Sequence, residues 1–468
     1  MFLKKLLDFF ESRDNMIKTY KPSMFNHYTE ELISQELILF NSYLGMNYLI
    51  RIQKDKKAKV LNWLTQKQIS ENSVLNDSDF KKLLKIGFFV DSSTNEKYLR
   101  EVLLSKLKSD NTLRLVIHTS KSCNFRCKYC YLYFDNSNNC DNIRQSTQEG
   151  IINFVRKNIA KYSAVHIDWF GGEPLLDIKA IDYISQNIID ICRRAKKPYE
   201  AVITTNGYLL SKEYIHILLK NKVKHIAITI DGLREQHDSQ RVLRNGGPTF
   251  DNIIRNLEYI RDNVKTQTLS ISIRNNVTVE ALTRIEEYYK FYNDKFGDDK
   301  RFYLFIRPVK DMGGEQIDKM DSLLFQNNSI DFGVIFDRLG KVIDKIQFNA
   351  NFVDLNIGGM RCYANNLNRY TIGVDGLISK CDESVEEIRI GQLLQSGEMQ
   401  IDETKHADWI RTTMCNSKCD DCFYSCCCCM DPCPKARIIG DSQSCPATLS
   451  ELDSLLKFCA KSYNAPCL

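Results

Sequence analysis

The stretch LRLVIHTSKSCNFRCKYCYLYF, residues 113–134, sets a strand directly against a cysteine loop. LRLVIHT is rich in apolar and β-branched residues, the composition of a buried strand. Cys123, Cys127 and Cys130 follow, separated by three and two residues. Three thiolates on one short loop can hold three irons of a cubane 4Fe–4S cluster and leave the fourth iron open. An open metal position implies chemistry rather than structure, the logic that separates catalytic from structural zinc. A zinc site would want a fourth ligand nearby, and nine residues separate Cys140 from Cys130.

Downstream the texture is repeated strand and helix. AVHIDWF (164–170), EAVITT (200–205), HIAITI (225–230), SISIRNNV (270–277) and FYLFIRP (302–308) read as further buried strands. Helical patterns at 150–162, 180–195, 213–220 and 251–264 lie between them, with Cys192 on an apolar face as a small core residue. Six strands alternating with helices imply an α/β fold with parallel pairing through right-handed crossovers. A partial (β/α)6 barrel and a doubly wound sheet both fit. In either, ligands gather at the strand C-terminal ends.

Those ends carry polar motifs. WFGGEPLLD (169–177) offers Gly171, Gly172, Glu173 and Pro174. Paired glycines allow close backbone approach to a ligand, and Glu173 can accept from an ammonium. TTNGYLL (204–210) supplies Thr205, Asn206 and Gly207, small groups suited to ribose hydroxyls. TIDGLREQHDSQR (229–241) supplies Asp231, readable as ribose contact, substrate-side acid/base or ordinary turn chemistry. Arg274 on the fifth strand suits a carboxylate or a rim ion pair. His166 alternates with apolar residues and reads as a packed barrel side chain.

The chain has 468 residues, 26% charged and 43% hydrophobic, ordinary globular values. A net charge of +5 is too small to imply a nucleic-acid partner, and no apolar run reaches the roughly 18 residues of a membrane span. The N-terminus, MFLKKLLDFFESRDN, reads as an amphipathic helix rather than a signal peptide, which makes a reducing cytoplasm the expected compartment. The 18 cysteines are unevenly placed, with none before Cys123 and 13 from Cys362 onward. Clustered thiols in a reducing compartment are metal ligands before they are disulfides.

Expected units are residues 1–110, 111–310, a mostly helical bridge at 311–361 with breaks at Gly313–Gly314 and Gly358–Gly359, and 362–468. In the first, LILFNSYLGMNYLIRI (37–52) reads as two strands about a turn at Tyr43–Gly45, with helices near 58–64 and 80–84. GFFVDSSTNEKYL (87–99) reads as a hairpin, making a small winged-helix-like unit. The last unit has too few apolar side chains for a conventional core, and metal is its expected organiser.

CNFRCKYCY, with Tyr129 just before the third cysteine, resembles the cluster motif of radical S-adenosylmethionine (SAM) enzymes. GGEP, the TIDG strand end and the His237–Arg241 loop with Gly246–Gly247 are similar to motifs of the same family. The resemblance implies SAM chelated to the open iron. Tyr129, Gly171–Pro174, Thr205, Asn206, Gly207 and Arg274 would bind it, and its reductive cleavage would give a 5′-deoxyadenosyl radical. The C-terminal order resembles the SPASM extension, which holds two auxiliary 4Fe–4S clusters. By position, Cys362, Cys381 and Cys433 would serve the first; Cys419, Cys422, Cys429 and Cys445 the second, with Cys428 as runner-up. One residue is inserted relative to the usual knuckle spacing. The first cluster would have three protein ligands unless Cys415 or a cysteine of the 426–429 run completes it. Cys140, Cys459 and Cys467 stay unassigned. The family also implies a reducing donor such as flavodoxin or ferredoxin. A ribosomally made precursor peptide is the expected substrate, its leader adding a strand to the 1–110 unit, for thioether or carbon–carbon crosslinking. A sulfatase-type maturase forming formylglycine and a non-enzymatic iron–sulfur carrier are the alternatives.

Overall fold

A computed structural model describes residues 18–108, 110–132, 142–309, 333–340, 353–382, 388–410, 417–430, 433–439, 445, 449 and 451–468. The helix expected at 1–15, most of the 311–361 bridge, Cys140 and Cys415 lie outside those residues.

Residues 18–108 hold β1 (Thr19–Pro22), β2 (Asn26–Glu30), β3 (Leu37–Asn41), β4 (Ile50–Ile52), β5 (Ile69–Ser70) and β6 (Phe89–Asp91). They form two three-stranded sheets, β2-β3-β4 and β5-β1-β6. β3 and β4 are the strands expected in 37–52, antiparallel with Leu37 opposite Ile52. Helices at Lys54–Thr65 and Ser78–Ile86 cover the other expected stretches. The hairpin expected over 87–99 does not form. β6 supplies one strand, but Asn95 then opens a helix, Glu96–Lys108, its Oδ1 accepting the Tyr98 N–H at 3.1 Å. β6 pairs instead with β1, whose polar TYKP sequence hid it from an apolar pattern. β3 is buried on both faces. Leu37 and Leu39 join Trp63 and Phe80 in a local core, while Ile38 and Phe40 join the main one.

The six expected strands are β7 (Thr112–His118), β9 (Ala164–Phe170), β10 (Tyr199–Thr205), β11 (Val223–Thr229), β13 (Ser270–Val277) and β14 (Phe302–Pro308). A separate short pair joins β8 (Phe125–Cys127) to β12 (Arg241–Leu243). The six are parallel neighbours in chain order, β7-β9-β10-β11-β13-β14. That order decides between the two candidate folds, because a doubly wound sheet reverses at a switch point and this one does not. It is a partial barrel.

Alternation sorts each strand into two faces. Val165, Ile167 and Trp169 of β9, with Ala201 and Ile203 of β10, are buried among the helices. The helix Ile178–Arg194 answers with Ile181, Ile184, Ile188 and Cys192, one stripe at helical spacing. The opposite face is polar. His166 there bonds Asp168 at 2.8 Å and Glu200 at 2.9 Å, so it is an ion-pairing residue of the inner face rather than a packed one. Its carboxylate partners raise its pKa, against the burial that lowers it.

Four more strands extend the same sheet past β7: β15 (Arg369–Ile372), β16 (Leu377–Ser379), β17 (Arg389–Leu393) and β18 (Met399–Ile401). β15 is parallel to β7, and the others are antiparallel. The region is therefore not organised by metal alone. Ile372, Ile378, Ile390, Leu393 and Trp409 are buried in the core the barrel began. Two or three apolar side chains per strand suffice, because the barrel supplies the facing wall.

Candidate active site

β7 delivers the chain to the cysteine loop, and β12 holds that loop from the other side. Arg241 pairs with Cys127, Val242 with Arg126 and Leu243 with Phe125. Cys123, Cys127 and Cys130 are free thiols that lie within each other's electrostatic reach. Burial pushes all three pKa values up, that of Cys127 to about 12. A bound cation would bring them back down. Among the described residues no three His, Cys, Asp or Glu side chains converge on a single ion. A cluster does not require that convergence, since it gives each thiolate its own iron. The polar surroundings also fit a ligand. The His118 Nε2, Asn124 Nδ2 and Arg241 Nε atoms are buried without a partner.

GGEP clamps the cysteine loop. The N–H of Gly172 donates to Ser120 O at 2.8 Å and that of Glu173 to Ser122 O at 2.9 Å. A Cβ at Gly171, where φ is +121°, would lie 2.5 Å from Ser120 O; one at Gly172 would lie 2.2 Å from Ser122 O. These glycines thus admit the loop that carries Cys123. Glu173 is fully buried. Its Oε1 accepts from Leu175 N at 3.0 Å and Thr205 Oγ1 at 2.7 Å, and its Oε2 from Asn206 N at 2.8 Å. Burial raises its pKa while those donors pull it down. A carboxylate has about four acceptor sites, so Oε2 keeps capacity for one more donor.

Thr205 is therefore spent on Glu173 and, at 3.1 Å, on the Gly207 N–H. Asn206 reaches the loop itself, donating to Asn124 Oδ1 at 2.7 Å. Asp231 is fully buried rather than open to a substrate. The Tyr129 hydroxyl donates to it, Asn276 N donates at 2.9 Å, and the Arg241 guanidinium stands 3.8 Å away. The Tyr129 oxygen in turn accepts from Arg241 Nη1 at 2.6 Å and Asn276 Nδ2 at 3.0 Å. Tyr129, Asp231, Arg241 and Asn276 thus form one closed network behind the cysteine loop. Sequence reasoning left Arg241 without a role and missed Asn276 and Asn124. A basic residue ending an HDSQR run beside the TIDG turn was the available signal.

Arg274 reaches this network from the inner face of β13. Its Nε donates to Asn276 Oδ1 at 2.7 Å, and its guanidinium lies 5.8 Å from the Phe305 ring. Arg307 covers the same ring at 4.3 Å and pairs with Asp354 at 2.8 Å.

In the C-terminal region the thiols sort into two groups. Cys362 interacts with Cys381 and Cys433. Cys422 interacts with Cys419 and Cys445. Cys428 lies beside Cys422, Cys429 and Cys419, and Cys429 packs in a small cluster with Leu104, Cys419 and Met430. Cys426 and Cys427 are fully buried, and the Cys427 thiol lies 4.0 Å from Ser42 O. Cys459 is a core residue, and Cys467 is exposed.

Residues 117–288 match the family described as Radical SAM superfamily. The radical SAM cyclopropyl synthase TigE of Paramaledivibacter caminithermalis is 25% identical over 44% of this chain and 48% of its own length. The cysteine-type anaerobic sulfatase-maturating enzyme of Clostridium novyi is 24% identical over 60% of this chain and 76% of its own. In fold, the chain is similar to native anSMEcpe with bound AdoMet and a Kp18Cys peptide, at TM-score 0.53 and 17% identity over 75% of this chain and 97% of that one. Residues 117–288 are thus a radical SAM domain, and the cofactors of that superfamily, SAM and a 4Fe–4S cluster, are those of this chain.

Proposed function

We propose that the chain is a peptide maturase that forms a thioether or carbon–carbon crosslink in a ribosomally made precursor. SAM, when bound, would supply a 5′-deoxyadenosyl radical able to take one hydrogen atom from the peptide. Cys123, Cys127 and Cys130 would hold the cluster, Glu173 the SAM ammonium, and Arg274 a carboxylate on the inner face of the barrel. The Tyr129–Asp231–Arg241–Asn276 network positions the cysteine loop and keeps water from it.

Crosslinking removes two hydrogens from the peptide, so after the first hydrogen atom a proton must pass to solvent and a second electron must leave. Cys362, Cys381 and Cys433, and Cys419, Cys422, Cys428 and Cys445, are the residues that would hold its acceptors. Cys428 is preferred to Cys429 in this assignment because it lies beside Cys422 as well as Cys419, the thiol that Cys429 also packs against. A flavodoxin- or ferredoxin-like donor would reduce the SAM cluster.

The observation that carries the substrate class is where the N-terminal unit sits. Ser42 Oγ bonds Phe423 O, Arg100 bonds the Asp420 carboxylate at 2.9 Å, and His27 stacks on Phe423 at 4.6 Å. The unit proposed to take up a peptide strand thus packs against the cysteine-rich region. The sulfatase-type reading keeps one observation in its favour, the 76% of the Clostridium novyi enzyme that aligns. The test uses anaerobically reconstituted protein with SAM, dithionite and short peptides encoded beside the gene. Formation of 5′-deoxyadenosine with hydrogen loss from one peptide, without gain of an aldehyde, is the expected result. An aldehyde at Cys or Ser would establish the alternative, and no 5′-deoxyadenosine would end the enzyme reading.

A further inference from the structure

The β2-β3-β4 sheet of the N-terminal unit has an edge strand, β4, and that edge is taken. Residues 466–468 lie along it as a short parallel strand, with Cys467 opposite Arg51. The Arg51 N–H donates to Pro466 O at 2.8 Å and the Leu468 N–H to Arg51 O at 2.8 Å. The Gln53 N–H donates to Leu468 O at 3.2 Å. The Arg51 side chain adds a bond from Nε to Ala465 O at 3.1 Å, and Leu468 packs against the unit's local core. Edge strands present unpaired N–H and C=O groups that recruit any extended chain. Here a segment more than 400 residues distant in sequence fills that role.

The seat is shallow. Three backbone hydrogen bonds hold the segment, and Cys467 faces solvent beside Glu36. Upstream, Ala465 is anchored independently, its N–H bonded to Ala460 O at the end of the helix Leu452–Ser462. The segment can leave β4 without unravelling that helix. It also points toward the 31–36 loop, where Leu32 and Ile33 are 79% and 88% exposed. A longer extended guest in the same place and direction would run on to these two apolar side chains.

We infer that residues 466–468 are an intramolecular stand-in on the peptide-binding edge, and that an extended, apolar segment of the precursor peptide must displace them to bind along β4. The inference rests on the peptide-maturase reading and names the site at which the peptide is held. A tethered competitor is present at high effective concentration, so it lowers the apparent affinity of a guest by the fraction of time the edge is free.

Two variants test this, removal of 466–468 and Leu468→Asp, the second retaining the backbone. Circular dichroism first checks that each is folded. Amide exchange then reports on Arg51 and Gln53, whose N–H groups the segment occupies. The probes are a labelled hexapeptide of sequence Tyr463–Leu468, under reducing conditions, and a library of random decapeptides. Both variants should lose protection at Arg51 and Gln53. The hexapeptide should restore it in trans on the shortened chain, and the shortened chain should bind library peptides about 10-fold more tightly than the full chain. Unchanged exchange on removal, or equal capture of library peptides by both forms, overturns the stand-in role and leaves the maturase reading standing. If the hexapeptide protects Arg51 and Gln53 but no library peptide competes with it, β4 is not a peptide seat and the inference falls. The maturase reading is judged separately, by hydrogen loss from the peptide.

Discussion

Gly172→Ala should strip iron from the SAM site while leaving the barrel folded. The added Cβ would lie 2.2 Å from Ser122 O, 2.6 Å from Ser122 C and 3.0 Å from Lys121 O. All three atoms are backbone, so no rotamer change relieves the contact. Ordinary contact begins near 3.4 Å, and the loop would have to retreat by about 1.2 Å. Ser122 is bonded directly to Cys123, so that shift reaches a cluster ligand, and metal sites tolerate errors of about 0.2 Å. Overpacking of this kind costs about 1–3 kcal/mol, and each kcal/mol lowers Tm by roughly 2–4 °C in a domain of barrel size. The assay is iron and acid-labile sulfide per chain after anaerobic reconstitution, with Tm from circular dichroism. Loss of about a third of the iron is expected if three cubane clusters are present, together with loss of 5′-deoxyadenosine formation. Full iron content with a normal electron paramagnetic resonance signal from the reduced cluster would refute the reasoning, because the loop would have absorbed the contact without moving its thiol.

Other outcomes follow from the same geometry. Glu173→Gln should lower stability by about 1–3 kcal/mol, since a carboxamide leaves one of three buried donors unsatisfied; an unchanged Tm would contradict the hydrogen-bond account. His237 is fully buried and its pKa is held well below the ordinary value, mainly by burial and then by the charge of Arg241. The folded state therefore resists its protonation, so this contribution to stability is complete above the unfolded pKa of about 6.5 and lost as pH falls below it. His237→Gln should flatten the fall in Tm between about pH 7 and 5, and an unaltered profile would exclude that origin. Cys428→Ser should lose auxiliary iron where Cys429→Ser keeps it; the reverse would restore the positional assignment.

Much of the fold was legible because barrel strands bury one face continuously. β9, β13 and β14 begin and end where their apolar runs do. β1 was not legible, since TYKP packs through its partners rather than through a pattern of its own. The helix at Glu96–Lys108 was mistaken for a returning strand because SSTN suits a hairpin turn as well as a helix start. At the site, residue types near the strand ends were visible in the sequence. Their partners were not, because Thr205 meets Glu173, and Arg241 meets Tyr129, only across the assembled barrel. The glycines of GGEP admit the protein's own cysteine loop, which no pattern in the sequence announces. A sequence records that a position must be bare, but not which chain fills the space.

The pairing of β15 with β7 sets Arg369 against Arg114, 255 residues apart. Contacts of that span are closed late, since loop entropy must be met before they reward the chain. During synthesis the strand that leads into the cysteine loop therefore waits for its β15 partner until the 255 residues from Arg114 to Arg369 have been made. Expression that outruns this closure should leave aggregation-prone chains with an open barrel, and slower synthesis should raise the yield of protein that can be loaded with iron.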